Sequence, residues 1–287
     1  MNYKISEDVK FIREMLSLSQ DQLASEIDVN KLTILRIENE ETWPSDETTE
    51  KLYCYIYRKG IKINRIKEMF YKEEILNKKL VFHGAKEKIN DEISPFYGRE
   101  HNDFGRGFYC GESMEQSTSF VSRYKDSSLY ILSFDDKNLK KAEYQVDQEW
   151  MLTIAYFRGT IEKYKDHPLI KKLIKKVTNA DYIYAPIADN RMFMIIDQFI
   201  DGLITDEQCK HCLAATNLGN QYVFLSEKAT SQLEILERCY ICELERKDYQ
   251  KIKEREVDDS DNKVRAALIK YKNKGRYIGE ILDEVDR

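Results

Sequence analysis

The chain has 287 residues, 42% of them hydrophobic and 34% charged, with a formal net charge of −5. That balance belongs to a globular protein with a packed core; it excludes a disordered chain, and the net acidity excludes whole-molecule attraction to nucleic acid or anionic lipid. No run of roughly eighteen apolar residues occurs, and the N-terminus MNYKISEDVK carries charge where a signal peptide needs apolar residues. The expectation is a cytoplasmic protein with no membrane span, whose six cysteines are reduced thiols or metal ligands and not a disulfide framework.

From residue 6 to about 75, apolar side chains recur at helical spacing in short segments broken at LSLSQ, IDVN, TWPSD and KGIKIN, which predicts a bundle of short helices. Ser19 is placed to cap a helix that buries Leu23 and Ile27, and Asn30 to cap a second that buries Ile34 and Ile37. Two short capped helices joined by a tight turn make a helix-turn-helix. The second would enter the major groove, with Gln20, Asn30, Lys31, Thr33 and Arg36 as the candidate DNA contacts. Carboxylates outnumber basic residues over 1–77, and over 28–41 only Lys31 and Arg36 stand against Asp28, Glu38, Glu40 and Glu41. Counterion release would be weak, so protein docking or dimerisation stands beside DNA binding as a role for this region.

From LVFHGA at residues 80–85 onward, strand-like runs (LYILSF, YIYAPI, QYVFLS) alternate with helical ones (QEWMLTIAYF, RMFMIIDQFIDG). The predicted class is α+β: an all-α domain over 1–77, then over 78–287 a domain with a split β core, helical insertions and, from about residue 244, a tail of exposed helices. The helix LIKKLIKKV sets its lysines opposite its apolar residues, as a solvated face does. Two CxxC pairs, Cys209 with Cys212 and Cys239 with Cys242, have the spacing of a structural zinc site. The first pair falls in the helical stretch TDEQCKHCLAA, and a strand and a helix-like segment separate it from the second, so no metal is expected there.

The stretch DFGRGFYCGESMEQSTSF, residues 103–120, places glycine on both sides of Arg106. Gly105 and Gly107 let a loop fold tightly into a strand at FYC. His83 and Gly84, at the end of the preceding strand, offer a ring nitrogen beside an unshielded backbone. Tyr109 and Phe120 present flat faces, and Ser117 lies between them in sequence with a hydroxyl. Together these make a slot for a planar ring carrying a carboxamide, such as the cationic nicotinamide of NAD. Arg106 is read as a loop residue facing solvent or a phosphate.

The segment LSLSQDQLASEIDVNKLTILRIENEETWPS resembles the Cro/cI-type repressor domain, with Asp28 and Glu40 where glycines are usual and Leu35 where serine is common. The order H-G, then G-R-G-x-Y, then a serine and an aromatic, resembles the catalytic domain of poly(ADP-ribose) polymerases and diphtheria-type toxins. The strings FHGA, DFGRGFYCGES, EWMLTIAYFR, YIYAPIADNR and NQYVFLSEKA are similar to a bacterial family of uncharacterised ADP-ribosyltransferase-like proteins over roughly residues 80–235. By that resemblance His83 would hold the adenosine ribose, Gly84 and Ser117 the carboxamide, and Tyr109 and Phe120 the nicotinamide ring. Gln221 stands where the family has a glutamate that holds the nicotinamide ribose. It is able to bond the hydroxyl but brings no negative charge to the transition state. Glu227, six residues on, is roughly 20 Å away along an extended strand and is no substitute. The resemblance implies an NAD-consuming mono-ADP-ribosyltransferase acting on a protein or nucleic-acid acceptor, of the kind that serves as a toxin or phage-defence effector held by an antitoxin-like partner. The alternative is a DNA-binding regulator whose second domain senses NAD or a related nucleotide without turnover.

Overall fold

The computed structural model describes residues 2–75, 77–89, 92–216 and 219–285. Five helices open the chain: α1 (Ile5–Met15), α2 (Gln20–Glu26), α3 (Lys31–Glu38), α4 (Asp46–Arg58) and α5 (Ile63–Glu74). Ser19 and Gln22 form a reciprocal capping box at the start of α2. The Asn30 side chain caps α3 by accepting the Leu32 N–H at 2.8 Å. Leu23, Ile27, Ile34 and Ile37 pack with Ile5, Val9 and Ile12 of α1 in one core, as the helical spacing required. Asp28 and Glu40, at the two positions where glycine is usual, both adopt left-handed backbone, with φ of 53° and 59°. The helix-turn-helix geometry is therefore kept at a conformational cost of roughly 1–2 kcal/mol for a residue such as Glu40, less for aspartate.

The second part of the chain runs β1 (Lys79–Ala85), β2 (Phe108–Gly111), α6 (Met114–Val121), β3 (Ser128–Phe134), β4 (Lys141–Glu143), α7 (Gln148–Phe157) and α8 (Pro168–Thr178). It continues with β5 (Tyr182–Pro186), α9 (Asn190–Ile200), α10 (Asp206–Ala214), β6 (Asn220–Phe224), α11 (Glu227–Thr230), β7 (Leu233–Tyr240), α12 (Glu243–Lys270) and α13 (Ile278–Val285). The strands form one seven-stranded mixed sheet in the order β4-β5-β6-β2-β1-β3-β7, in which only β4 and β5 run parallel. The class is α+β. Within this one sheet, β1 pairs with β3 along its whole length but meets β2 in the single register pair Phe82↔Gly111. The two halves of the sheet part at that seam.

Two strands were not foreseen. β4 is three residues long, and β7 carries Glu234, Glu237 and Arg238 in a pattern too charged to read as a strand. The charged tail also differs from the expectation of wholly exposed helices, because α12 buries Arg246, Ser260 and Ala267. Its first turn and the end of β7 dock onto the N-terminal bundle: Cys242 joins the bundle's core, with Tyr240 and Leu244 packed against it. Buried ion pairs reinforce this seam. Lys67 of α5 contacts Asp8 at 2.7 Å and Glu237 at 2.9 Å, Tyr71 donates to Glu237 at 2.9 Å, and Tyr53 donates to Asp8. Burial alone would lower the Lys67 pKa, but the two carboxylates outweigh it and hold the ammonium charged. Among the described residues no helix is long and apolar enough to cross a membrane.

Candidate functional site

Where β1 and β2 diverge, a cleft of about 790 Å³ opens, lined among others by His83, Gly84, Tyr109, Ser117, Phe120 and Gln221. Its size is that of a pocket for a small organic ligand. The residues come from β1, β2, α6 and β6.

His83 sits near the end of β1, with its ring stacked on Phe108 at a centroid separation of 4.4 Å. Its Nδ1 lies 2.7 Å from the Tyr109 carbonyl oxygen. A carbonyl only accepts, so Nδ1 carries the proton and Nε2 is the acceptor left for a ligand. Burial pushes the His83 pKa down, against the carbonyl bond that raises it, and the ring is neutral at neutral pH. At Gly84 a Cβ would overlap the Ser117 carbonyl, so the backbone of α6 lies directly on β1. The buried Ser117 hydroxyl donates to the Phe82 carbonyl at 3.0 Å, which leaves its lone pairs as acceptors.

Tyr109 is fixed by both ends of its polar group. Its hydroxyl donates to the Gly105 carbonyl at 2.7 Å and accepts the Phe104 N–H at 3.1 Å. Gly105, at φ 76°, supplies the left-handed turn on which that bond depends. Burial raises the phenol pKa well above its usual value, so Tyr109 stays neutral. Phe120, on the open side of α6, is 43% exposed, and the Lys253 ammonium lies 5.3 Å from its ring centroid. A ligand cation stacking on Phe120 would have to share that face.

Gln221 is opposite Gly111 across the β2–β6 ladder and is buried. Its Nε2 donates to Asp103 Oδ2 at 2.8 Å and to the Pro186 carbonyl at 3.2 Å. Both partners are acceptors, so the amide has one orientation, and Oε1 is the atom left to a ligand. Asp103 was missed by sequence reasoning. It too is buried and lines the cleft, where its Oδ1 takes Arg158 Nε at 2.9 Å and Arg158 Nη2, and its Oδ2 takes the Ala188 N–H at 3.1 Å. The only sequence signal for this pair was a charged residue beside apolar and glycine residues, Asp103 heading DFGRG and Arg158 within AYFRG.

Arg106 faces solvent, the first of the two settings expected of it: it lies outside the lining of the cleft and pairs with Glu100 at 3.4 Å, so it stands apart from the cofactor-binding residues it was grouped with. Glu227 opens α11 and is likewise outside the lining. Basic groups missed by the sequence reading supply the cleft's charge. Among the described lining residues Lys86, Lys88, Arg99, Arg123 and Arg158 stand against Glu92 and Asp103. The cleft thus offers three inner acceptors, two aromatic faces and a basic rim, a set that suits a ligand with hydroxyls, an amide, a planar ring and phosphates.

On the bundle, Gln20 Nε2 donates to Glu38 at 2.7 Å, and Glu38 is also held by Arg13 at 2.7 Å. Asn30 Oδ1 caps α3, and Thr33 is partly buried. Lys31 is exposed and pairs with Asp21 at 2.8 Å, and Arg36 is exposed on α3. The two CxxC pairs lie in different cores. Cys209 and Cys212 pack within the large core beside α9 and α12, Cys239 packs against Phe82, and Cys242 packs on the bundle.

No curated protein and no solved structure showed a significant match to the chain. Residues 9–52 match the helix-turn-helix family, which supports DNA binding by the N-terminal bundle. Residues 80–235, more than half of the chain and the whole of the sheet's site-bearing part, match the family described as protein of unknown function DUF3990, and the chain belongs to that family.

Proposed function

We propose that the second part of the chain binds NAD and transfers its ADP-ribose, one unit at a time, to a protein or nucleic-acid acceptor with release of nicotinamide. The observation that carries this reading is the convergence of His83, Gly84, Tyr109, Ser117, Phe120 and Gln221 on one cleft with a basic rim. In this reading the neutral His83 accepts a hydroxyl of the adenosine ribose at Nε2. Ser117 Oγ accepts the carboxamide N–H, Tyr109 supports the nicotinamide ring, and the basic rim meets the diphosphate. Gln221 Oε1 accepts the 2′-hydroxyl of the nicotinamide ribose. The bond from ribose C1″ to the ring nitrogen then breaks, its electron pair neutralising the pyridinium, and the acceptor's nucleophile adds to C1″ and loses its proton. The same likeness underlies a role as a toxin or phage-defence effector restrained by a partner. Purified protein incubated with cell extract and NAD labelled in its adenylate half should place label on a macromolecule. Label that remains in small molecules throughout would refute transfer.

A second reading is favoured by the charge at position 221. Gln221 is neutral, and Asp103 behind it is matched by Arg158, so no uncompensated negative charge faces the developing oxocarbenium ion. A DNA-binding regulator that senses NAD without turnover fits that arrangement. If the bundle reads DNA, affinity for its own promoter should fall steeply with salt and be lost in Arg36→Ala. No promoter shift even at low salt leaves the bundle with a docking role.

A further inference from the structure

We propose that Glu50, Cys54 and Cys242 form a binding site for one zinc-like divalent cation that clips the helix-turn-helix bundle to the second part of the chain. The three ligand atoms lie within 4.8 Å of one another. Glu50 and Cys54 are one turn apart on α4, and Cys242 stands at the N-cap position of α12 on the other side of the seam. Two thiolates and one carboxylate are a donor set that zinc accepts, with its fourth position left to water.

The surroundings are those of a built site. Cys54 and Cys242 are buried, and Cys242 stands at the N-cap position of α12, where the helix N-terminus favours negative sulfur. Glu50 is oriented by the Tyr240 hydroxyl at 2.7 Å and the Glu243 N–H at 2.6 Å. Such bonds to a metal's ligands hold them in place and commonly decide affinity. The Arg246 guanidinium, 3.9 Å from Glu50, balances charge: three anionic ligands, a divalent cation and one arginine sum to zero. Without a cation the buried thiols are protonated, with Cys54 Sγ bonded to Glu50 Oε1 at 3.0 Å. Binding therefore releases two thiol protons to solvent. An entry path exists, because Glu50, Tyr240, Glu243 and Arg246 line a second cleft between bundle and sheet.

The test uses the reduced full chain and cobalt(II) as a spectroscopic stand-in for zinc. One equivalent should produce a thiolate-to-cobalt charge-transfer band that zinc bleaches. Cys54→Ser and Cys242→Ser should each abolish or shift it, while Cys209→Ser leaves it unchanged. Tyr240→Phe, which keeps every ligand, should weaken zinc binding by about 10–100-fold. Zinc should also raise the melting temperature of the wild type and not of Cys242→Ser. Absence of the band in reduced wild type, its survival in both ligand variants, or an equal zinc effect on melting in wild type and Cys242→Ser overturns the proposal.

Discussion

Asp103 and Gln221 act as one unit, and substitutions at either should be read against the other. With the Gln221 amide hydrogens held by Asp103 and Pro186, Gln221→Ala should lower kcat with little change in KM, since the contact to the ribose matters as positive charge develops. Asp103→Asn releases the amide to turn over and should cost roughly a hundredfold in nicotinamide release through misplacement. Gln221→Glu alone would set a carboxylate against Asp103, and the two would share a proton, so it should be no faster than wild type. The double change Gln221→Glu with Asp103→Asn reverses the pair and should exceed the single change. Equal rates for the two would show that position 221 does not face the ribose. His83 gives a second prediction. Burial holds its folded pKa below the ordinary 6.5, so the unfolded chain takes up the proton first as pH falls. Its stabilisation is complete above pH 6.5 and is lost as pH drops through the folded value. Melting curves from pH 7.5 to about 5 should show His83→Gln losing less stability than wild type over the acid half.

Among the elements, the helix-turn-helix was the most legible because every one of its signals is local. The caps Ser19 and Asn30, the apolar spacing and the two usual glycine positions lie within a short span, and Asp28 and Glu40 keep the glycine conformation. Glu40→Gly should therefore stabilise the bundle by about 1 kcal/mol, and Asp28→Gly by less, as urea midpoints would report. A destabilising Glu40→Gly would mean that the Glu40 side chain contributes more than its backbone costs. The elements of the cleft were legible where one strand or helix carried its own pattern, as β1, β2 and α6 did. Asp103 and Arg158 were not, because their meaning arises only when the loop before β2 meets the C-terminal end of α7. Nor was β7: Glu237, which breaks its alternation, is buried to meet Lys67 from another part of the chain.

The whole molecule is joined by the seam between bundle and sheet. Lys67 sits between Asp8 and Glu237 with its side chain 12% exposed. Lys67→Met would leave the buried Asp8 without its cation and Glu237 with Lys4 alone, 3.3 Å away, at a cost of about 3–5 kcal/mol. Hydrogen exchange should then quicken in α5 and β7 and stay slow in α9, whose core lies elsewhere; uniform loosening would mean the seam is no separate unit. A docked bundle also bears on function, because α5 and α12 both reach α6: Arg65 pairs with Glu115, and Lys253 lies over Phe120. The bundle thereby contacts, through Arg65, the helix that carries Ser117. The most direct test of the central claim is nicotinamide release from NAD by the purified full chain, with cell extract as acceptor, beside His83→Ala. The account requires wild type to release nicotinamide in proportion to enzyme and time and His83→Ala to fall to background. Release no greater than a heat-inactivated control, or equal in the two proteins, would contradict it.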